Sequence, residues 1–353
     1  MTNFEETKKQ FILPKGLIYL DGNSLGPMPK NVPSEINTLL HEEWSNLLIN
    51  GWNDAEWMFQ PENLGNKISR IIGAEDKSVV VGETLSVRVF QALSSAIKEV
   101  GKRKIILTDS GNFPSDLYMA QGLVHLLNDQ LEIRICAPEE ILDSLSDEIA
   151  VLMLTDVDYR TGRRHDISVI SKIAKDNGIV TIWDLAHSAG ALNLNLKEWN
   201  IDYAVGCTYK YLNAGPGSPA FIYVNPKKIN EVKPSLMGWL GHQKPFEFLH
   251  KYEPGKGINR MKIGTPPVLA NAALAASLKI WDTVNMSELR SESIDLSERL
   301  ISGLQKNCPN LKLASPINAE DRGSQVSFYF EHGYPAMQAI IEKGVIGDFR
   351  SPN

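Results

Sequence analysis

The residues best suited to chemistry in this chain are Asp184 and Lys210. Trp183-Asp184-Leu185-Ala186-His187-Ser188-Ala189-Gly190 begins where an apolar run ends, so the Asp184 carboxylate stands at the carboxyl edge of a strand. Twenty-six residues further on, Tyr209-Lys210-Tyr211-Leu212 follows the next such run and sends an ammonium to the same edge. A lysine amine there can form a Schiff base with an aldehyde, and a carboxylate beside it can keep a ring nitrogen protonated. Pyridoxal phosphate requires this pair, because a protonated ring is the better electron sink for a carbanion at a substrate's Cα. Plainer readings stand beside it. An Asp at a strand end is commonly a turn residue or helix cap, and a Lys after a strand is commonly a solvated edge charge. Their joint placement is what favours the cofactor.

A phosphate needs backbone donors and hydroxyls near a helix start. Gly82-Glu83-Thr84-Leu85-Ser86 follows an apolar run and precedes a helical stretch, so Thr84 and Ser86 are candidate hydroxyl donors. An ordinary N-cap is the alternative there. Phe113-Pro114-Ser115-Asp116 occupies a similar position after the following run, and its aromatic ring can stack on a cofactor; a Pro-bearing turn is the alternative. His187, three residues past Asp184, can hydrogen-bond near a cofactor phenolate oxygen or serve only the core. No P-loop or GxGxxG pattern follows a strand, which argues against a nucleoside triphosphate or a dinucleotide. Asn213-Ala214-Gly215-Pro216-Gly217 and Ile263-Gly264-Thr265-Pro266-Pro267 must be irregular loops.

The elements that must position these groups follow a regular plan. Seven short apolar or β-branched runs predict strands: Val79–Val81, Ile105–Thr108, Glu132–Ile135, Val151–Thr155, Val180–Trp183, Tyr203–Cys207 and Ala220–Val224. Amphipathic segments separate most of them. Continuous apolar runs suit strands covered on both faces, and the alternation predicts an α/β fold with a mainly parallel seven-stranded sheet. The ligand then belongs beyond the strands' carboxyl ends. Upstream, Ile36, Leu39, Leu40, Trp44, Leu47 and Leu48 recur at helical spacing and predict a face packed on the core. From Val268 through Ile301 the pattern is helical; strands Leu311–Leu313 and Ser324–Phe330 and a helix near Ala336–Glu342 follow. We expect an N-terminal segment (1–60) joining a small α+β domain, a large domain (61–267), and the small C-terminal domain itself (268–353).

The 353 residues, 43% of them hydrophobic, suffice for a large core. The net charge of −6 is scattered, so no basic patch suggests nucleic acid or an anionic membrane. Cys136, Cys207 and Cys308 are far apart and lack CxxC spacing, which supports neither a disulfide framework nor a metal site. The N-terminus has no apolar core of a signal peptide, and no apolar run approaches the roughly 20 residues of a membrane span. These features predict a cytoplasmic protein in a reducing compartment.

Several blocks together resemble the kynureninase family. They are Leu20–Gly26, Phe113–Asp116, Tyr159-Arg160-Thr161-Gly162, Asp184–Gly190, Tyr209–Gly217, Gly264–Val268 and Gly344-Val345-Ile346-Gly347-Asp348-Phe349-Arg350, in order from about residue 19 to 350. The resemblance implies a fold type I homodimer, dependent on pyridoxal 5'-phosphate, with active sites shared between subunits. It implies roles by position. Lys210 carries the Schiff base, Asp184 binds the pyridine nitrogen, and Tyr209 is a proton relay beside the lysine. Leu85, Ser86 and Tyr209 lie around the phosphate, and Phe113 stacks on the ring. Pro114, Ser115, Asp116, Thr155 and His187 complete the shell. Trp239 and Thr265 reach the phosphate of the neighbouring subunit's cofactor.

The implied reaction is hydrolysis of the Cβ–Cγ bond of L-kynurenine, or its 3-hydroxy form, to anthranilate, or its 3-hydroxy form, and L-alanine, a step of tryptophan catabolism. Two departures stand out. Where the family pattern has Thr with Asn two residues later, this chain has Ser86 and Arg88. The pattern also implies, beyond the Gly-Asp-Phe-Arg block, a segment whose arginine binds the substrate carboxylate, and these 353 residues do not include it. The alternatives are another fold type I enzyme, such as a cysteine desulfurase, or a catalytically silent cofactor binder. A desulfurase needs a reactive cysteine on a mobile loop, and neither Cys136 nor Cys308 has Gly- and Ser-rich surroundings.

Overall fold

A computed structural model describes residues 1–350; the last three residues of the expected small domain lie outside that range. The seven expected strands form one sheet. They are β1 (Val79–Val81), β2 (Ile105–Asp109), β3 (Glu132–Cys136), β4 (Ile149–Thr155), β5 (Val180–Asp184), β6 (Tyr203–Gly206) and β7 (Phe221–Val224). Their order across the sheet is β1-β7-β6-β5-β4-β2-β3. The pairs β2–β3, β2–β4, β4–β5 and β5–β6 are parallel, and β7 runs antiparallel to both of its neighbours. The β4, β5 and β6 strands are buried throughout, which is why they read as unbroken apolar runs.

Alternate residues of each strand feed cores on opposite faces. Leu152 and Leu154 join one core with Val79, Val81 and Trp183; Val151 and Met153 join the other with Val80, Ile182 and Val205. Removing one such buried branched side chain costs about 2–5 kcal/mol, so each face is intolerant of truncation. Trp183 also needs its indole N–H paired, and Ser171 Oγ accepts it at 2.9 Å.

Helices α1 (Gln60–Ile71), α2 (Leu85–Ala96), α3 (Pro114–Leu126), α4 (Ile167–Asp176) and α5 (Val268–Leu278) surround this sheet, followed by α6 (Met286–Asn307) and α7 (Gly333–Glu342). Two small ladders complete the fold. Ile18–Tyr19 pairs in parallel with Val345–Ile346, and Lys312–Leu313 pairs antiparallel with Phe328–Tyr329. The chain's two ends therefore meet.

One expectation needs correction. The segment around Ile36–Leu48 is not a single core-facing helix. An α-helix at Val32–Thr38 widens into a π-helical stretch at Leu39–Trp44 and ends at Ser45–Leu47. Leu39 is buried, whereas Trp44 and Leu48 stand 53% and 64% exposed. The wider turn rotates the later apolar residues off the face that Leu39 occupies.

Candidate active site

Asp184 ends β5, and its register partners are Thr155 on β4 and Val205 on β6. The chain turns at once: Ala186 N–H donates to Asp184 Oδ1 at 2.8 Å, a side-chain turn typical of Asp. This turn aims His187 along the sheet edge. Lys210 arrives from the loop after β6, and its Nζ donates to His187 Nε2 at 2.9 Å. An ammonium has only donors, so Nε2 is the acceptor and the imidazole proton belongs on Nδ1. That Nδ1 is buried and has no partner among the described residues. Burial, then the Lys210 charge, then that of Arg350, hold the His187 pKa well below its usual value, so the ring is neutral.

Asp116, in the first turn of α3, faces Asp184. Burial pushes Asp184 up to about 6, against the pull of Lys210 and the Ala186 N–H. Burial and then the Asp184 charge push Asp116 well above the carboxylate range. Among the described residues no N–H or O–H donor reaches the buried Asp116 Oδ2. One proton shared by the pair lets the two carboxyls meet without repulsion.

The starts of α2 and α3 lie together, with Ser86 Oγ 2.9 Å from Ser115 Oγ. Pro114 opens α3 at a position where a missing N–H costs nothing. Thr84 is the N-cap of α2: its Oγ1 accepts from Val87 N–H at 3.4 Å, while Ser86 Oγ is the hydroxyl that meets Ser115. The Phe113 ring lies 5.9 Å from Lys210 Nζ and packs edge-on against Tyr159 at 5.2 Å between centroids. Tyr209 places its ring 5.8 Å from the same amine, and burial raises its phenol above the usual range, keeping it a proton donor.

Thr155 reaches the turn that precedes α3. Its hydroxyl donates to Asn112 Oδ1 at 2.5 Å, and the same oxygen accepts Phe113 N–H at 2.7 Å. Asn112 Nδ2 reaches Thr108 Oγ1 and the Met153 carbonyl. Asn112 is thus the bracket of the Phe113 turn, and sequence reasoning missed it. The available signal was an Asn two residues before a helix-opening Pro. The loop Asp21–Pro27 also reaches this edge: Gly26 N–H donates to the Tyr209 carbonyl at 2.8 Å. Arg350 ties the C-terminal block to that loop, pairing with Asp348 at 2.6 Å and donating to Ser24 Oγ at 2.9 Å.

Within one chain, Trp239 and Thr265 do not join this cluster. Both are exposed and make no hydrogen bond to Lys210, Asp184 or His187. Leu240 N–H to the Ile263 carbonyl holds their two segments side by side.

Comparison with known proteins agrees with this geometry. The aminotransferase class-V family model matches residues 18–345. The kynureninase of Deinococcus radiodurans is 43% identical over 98% of this chain and 86% of its own length. The chain belongs to the kynureninase family. The kynureninase of Pseudomonas fluorescens gives the same result, with 42% identity over 98% of this chain and 85% of its own. Among solved structures, the apo cysteine desulfurase of Thermococcus onnurineus superposes with a TM-score of 0.82 at 19% identity, covering 98% of this chain and 87% of that one. A C-DES mutant with glycine covalently linked to its PLP cofactor gives 0.81 at 16%, covering 96% and 90%. At such identities these structures establish the shared fold alone.

The donor set of this kynureninase-family chain fits pyridoxal 5'-phosphate. It offers an amine, an anionic carboxylate, an imidazole N–H without an acceptor, and two helix starts bearing hydroxyls. Cys207 does not offer the chemistry of a sulfur carrier: its thiol is buried and pushed up to about 11.

Proposed function

We propose that this chain hydrolyses the Cβ–Cγ bond of L-kynurenine, or of its 3-hydroxy form, releasing anthranilate or 3-hydroxyanthranilate and L-alanine, with pyridoxal 5'-phosphate as cofactor. The observation that carries the reading is the Lys210–His187 contact beside the Asp184–Asp116 pair, in a chain of this family. When bound, the cofactor would supply an electron sink for charge that develops at the substrate's Cα and, on cleavage, at Cβ.

The roles of individual residues are ours by inference. Lys210 would bond the aldehyde and then move the Cα proton. Asp184 would hold a proton on the pyridine nitrogen. His187 Nδ1 would donate to the ring oxygen. Leu85 N–H and the Ser86 and Ser115 hydroxyls would hold the phosphate, and Phe113 would cover the ring. Tyr209 would protonate the carbon left after cleavage.

We further infer that two copies share their sites, with Trp239 and Thr265 serving the partner's phosphate. Support comes from their exposure away from Lys210 and from exposed apolar side chains, among them Trp44, Leu48, Ile49, Met237, Phe246 and Phe248. No helix among the described residues is long and apolar enough to cross a membrane, and the three cysteines are free thiols, which suits a reducing cytoplasm.

The test is anthranilate fluorescence after mixing the protein, pyridoxal phosphate and L-kynurenine. A signal that grows with time and requires the cofactor supports the reading. Its absence, with the protein folded and cofactor bound, would overturn it.

A further inference from the structure

Arg88 is the residue by which this chain departs from the pattern around the phosphate, and its surroundings are unusual. The side chain runs back toward the start of α2, as helical side chains do, and is 1% exposed. Its Nε donates to the Gly82 carbonyl at 2.9 Å. Its Nη1 donates to Gln91 Oε1 at 2.6 Å and to the Met261 carbonyl at 2.7 Å, which also accepts from Gln91 Nε2 at 3.0 Å. Every one of these partners is neutral. Among the described residues no carboxylate forms an ion pair with Arg88; Glu83, the acid nearest in sequence, acts on it only through space. Burial pulls the guanidinium pKa down to about 10, the mark of a cation short of compensation.

The turn beneath it is strained. Gly82 has φ +149° and Glu83 lies in the left-handed region at φ +60°. Gly82 N–H donates to the Ala220 carbonyl, and Ala220 N–H to the Glu83 carbonyl, at 2.8 and 2.9 Å. A Cβ on residue 82 would sit 2.9 Å from Arg88 Nη2, so the guanidinium occupies the space that only glycine leaves. Directly after this turn come the Leu85 and Ser86 N–H groups, which have no intrahelical acceptor. A buried cation, a strained turn and unpaired amides thus share one end of the site.

We propose that Arg88 is the positioning residue of the phosphate end: the cofactor phosphate balances its buried charge, while its fork ties the Gly82–Glu83 turn to Met261, on the segment that continues to Thr265. A buried cation whose partners are all carbonyls and amides calls for an anion in the loaded protein. The phosphate is the dianion that would stand at this helix start. The inference rests on the cofactor reading above, and it makes the phosphate group, more than the pyridine ring, the part of the ligand that Arg88 senses.

The experiment compares binding of pyridoxal 5'-phosphate and of pyridoxal, which lacks the phosphate, to cofactor-free protein, by absorbance and by thermal shift. In R88Q, affinity for pyridoxal phosphate should fall by about 10-fold or more, the scale of a charge-assisted interaction, while pyridoxal affinity stays within about 2-fold. R88K retains the charge and should keep the preference for the phosphorylated ligand within about 3-fold of wild type, which carries the test should R88Q be insoluble. Equal loss for both ligands, or none for either, would overturn the proposal. So would an R88K protein that no longer distinguishes them. Wild-type protein that binds neither ligand would instead remove the cofactor reading on which the inference rests.

Discussion

Lys210 Nζ donates to His187 Nε2 at 2.9 Å, and the opposite nitrogen of that ring has no partner among the described residues. The imidazole therefore orients the amine with one nitrogen and keeps a donor for the ligand with the other. His187→Gln removes this two-sided link while retaining a polar side chain. We expect kcat to fall by about 10–100-fold, with a shifted absorbance maximum of the bound cofactor. An unchanged spectrum and unchanged kcat would show that the contact does no positioning.

Lys210→Ala deletes both the proposed covalent attachment point and the proposed base. Turnover of L-kynurenine should drop by at least about 10³-fold, in a protein whose melting temperature is close to wild type because Lys210 makes no ion pair among the described residues. Substantial remaining turnover, measured by anthranilate fluorescence, would sink the assignment of Lys210.

The Asp184 carboxyl titrates near 6 in the folded chain against about 3.9 when unfolded. A raised folded pKa contributes stability that is fully present below the unfolded value and is lost as pH rises through the folded one. The stability of cofactor-free wild type relative to Asp184→Asn should therefore decline between about pH 4 and 6 and level off above 7. Thermal melts of both proteins across that range decide it; a flat difference would mean that Asp184 is not desolvated as described.

Gly26 leaves no room for a side chain. A Cβ there would lie 2.2 Å from the Lys210 carbonyl oxygen and 2.4 Å from Asn213 Nδ2. Gly26→Ala must push the Asp21–Pro27 loop off the lysine segment and break the Gly26 N–H to Tyr209 carbonyl bond. Overpacking of this kind costs about 1–3 kcal/mol. We expect a lower melting temperature and a larger loss in kcat/KM than that alone implies, checked by calorimetry beside steady-state kinetics.

Shared sites make a distinctive prediction. Lys210→Ala and a Trp239→Ala, Thr265→Ala double variant should each have low activity alone. Mixed 1:1 and allowed to exchange subunits, they should recover about a quarter of the wild-type activity, since half the dimers regain one intact site. Activity no higher than the mean of the two separate preparations would argue against Trp239 and Thr265 serving the partner.

Much of the sheet was legible in the sequence. Val151–Thr155 and Val180–Trp183 lie within strands that are buried on both faces, and burial on both faces is what makes a strand an unbroken apolar run. Asp184 and Lys210 could be read as neighbours because each follows such a run on parallel, adjacent strands. Legibility failed where a residue's role depends on a distant partner. Thr84 and Ser86 differ by two positions in one helix start, yet Thr84 caps its own backbone while Ser86 meets Ser115 across the site. Trp44 and Leu48 keep helical spacing, but the π-helical turn leaves them facing outward.

By itself the amino-acid sequence determined the types and order of the chemical groups: a lysine and a carboxylate at one sheet edge, hydroxyls at two helix starts, an aromatic between them. Local periodicity suffices for this, because strand and helix patterns are properties of near neighbours. Tertiary structure alone decided the state of those groups. That Asp116 and Asp184 are both pushed up, that His187 is held well below its usual value beside Lys210, and that Arg88 is a buried cation follow from desolvation and from charges brought in by remote segments. Protonation depends on what surrounds a group in space, and no spacing along the chain encodes that.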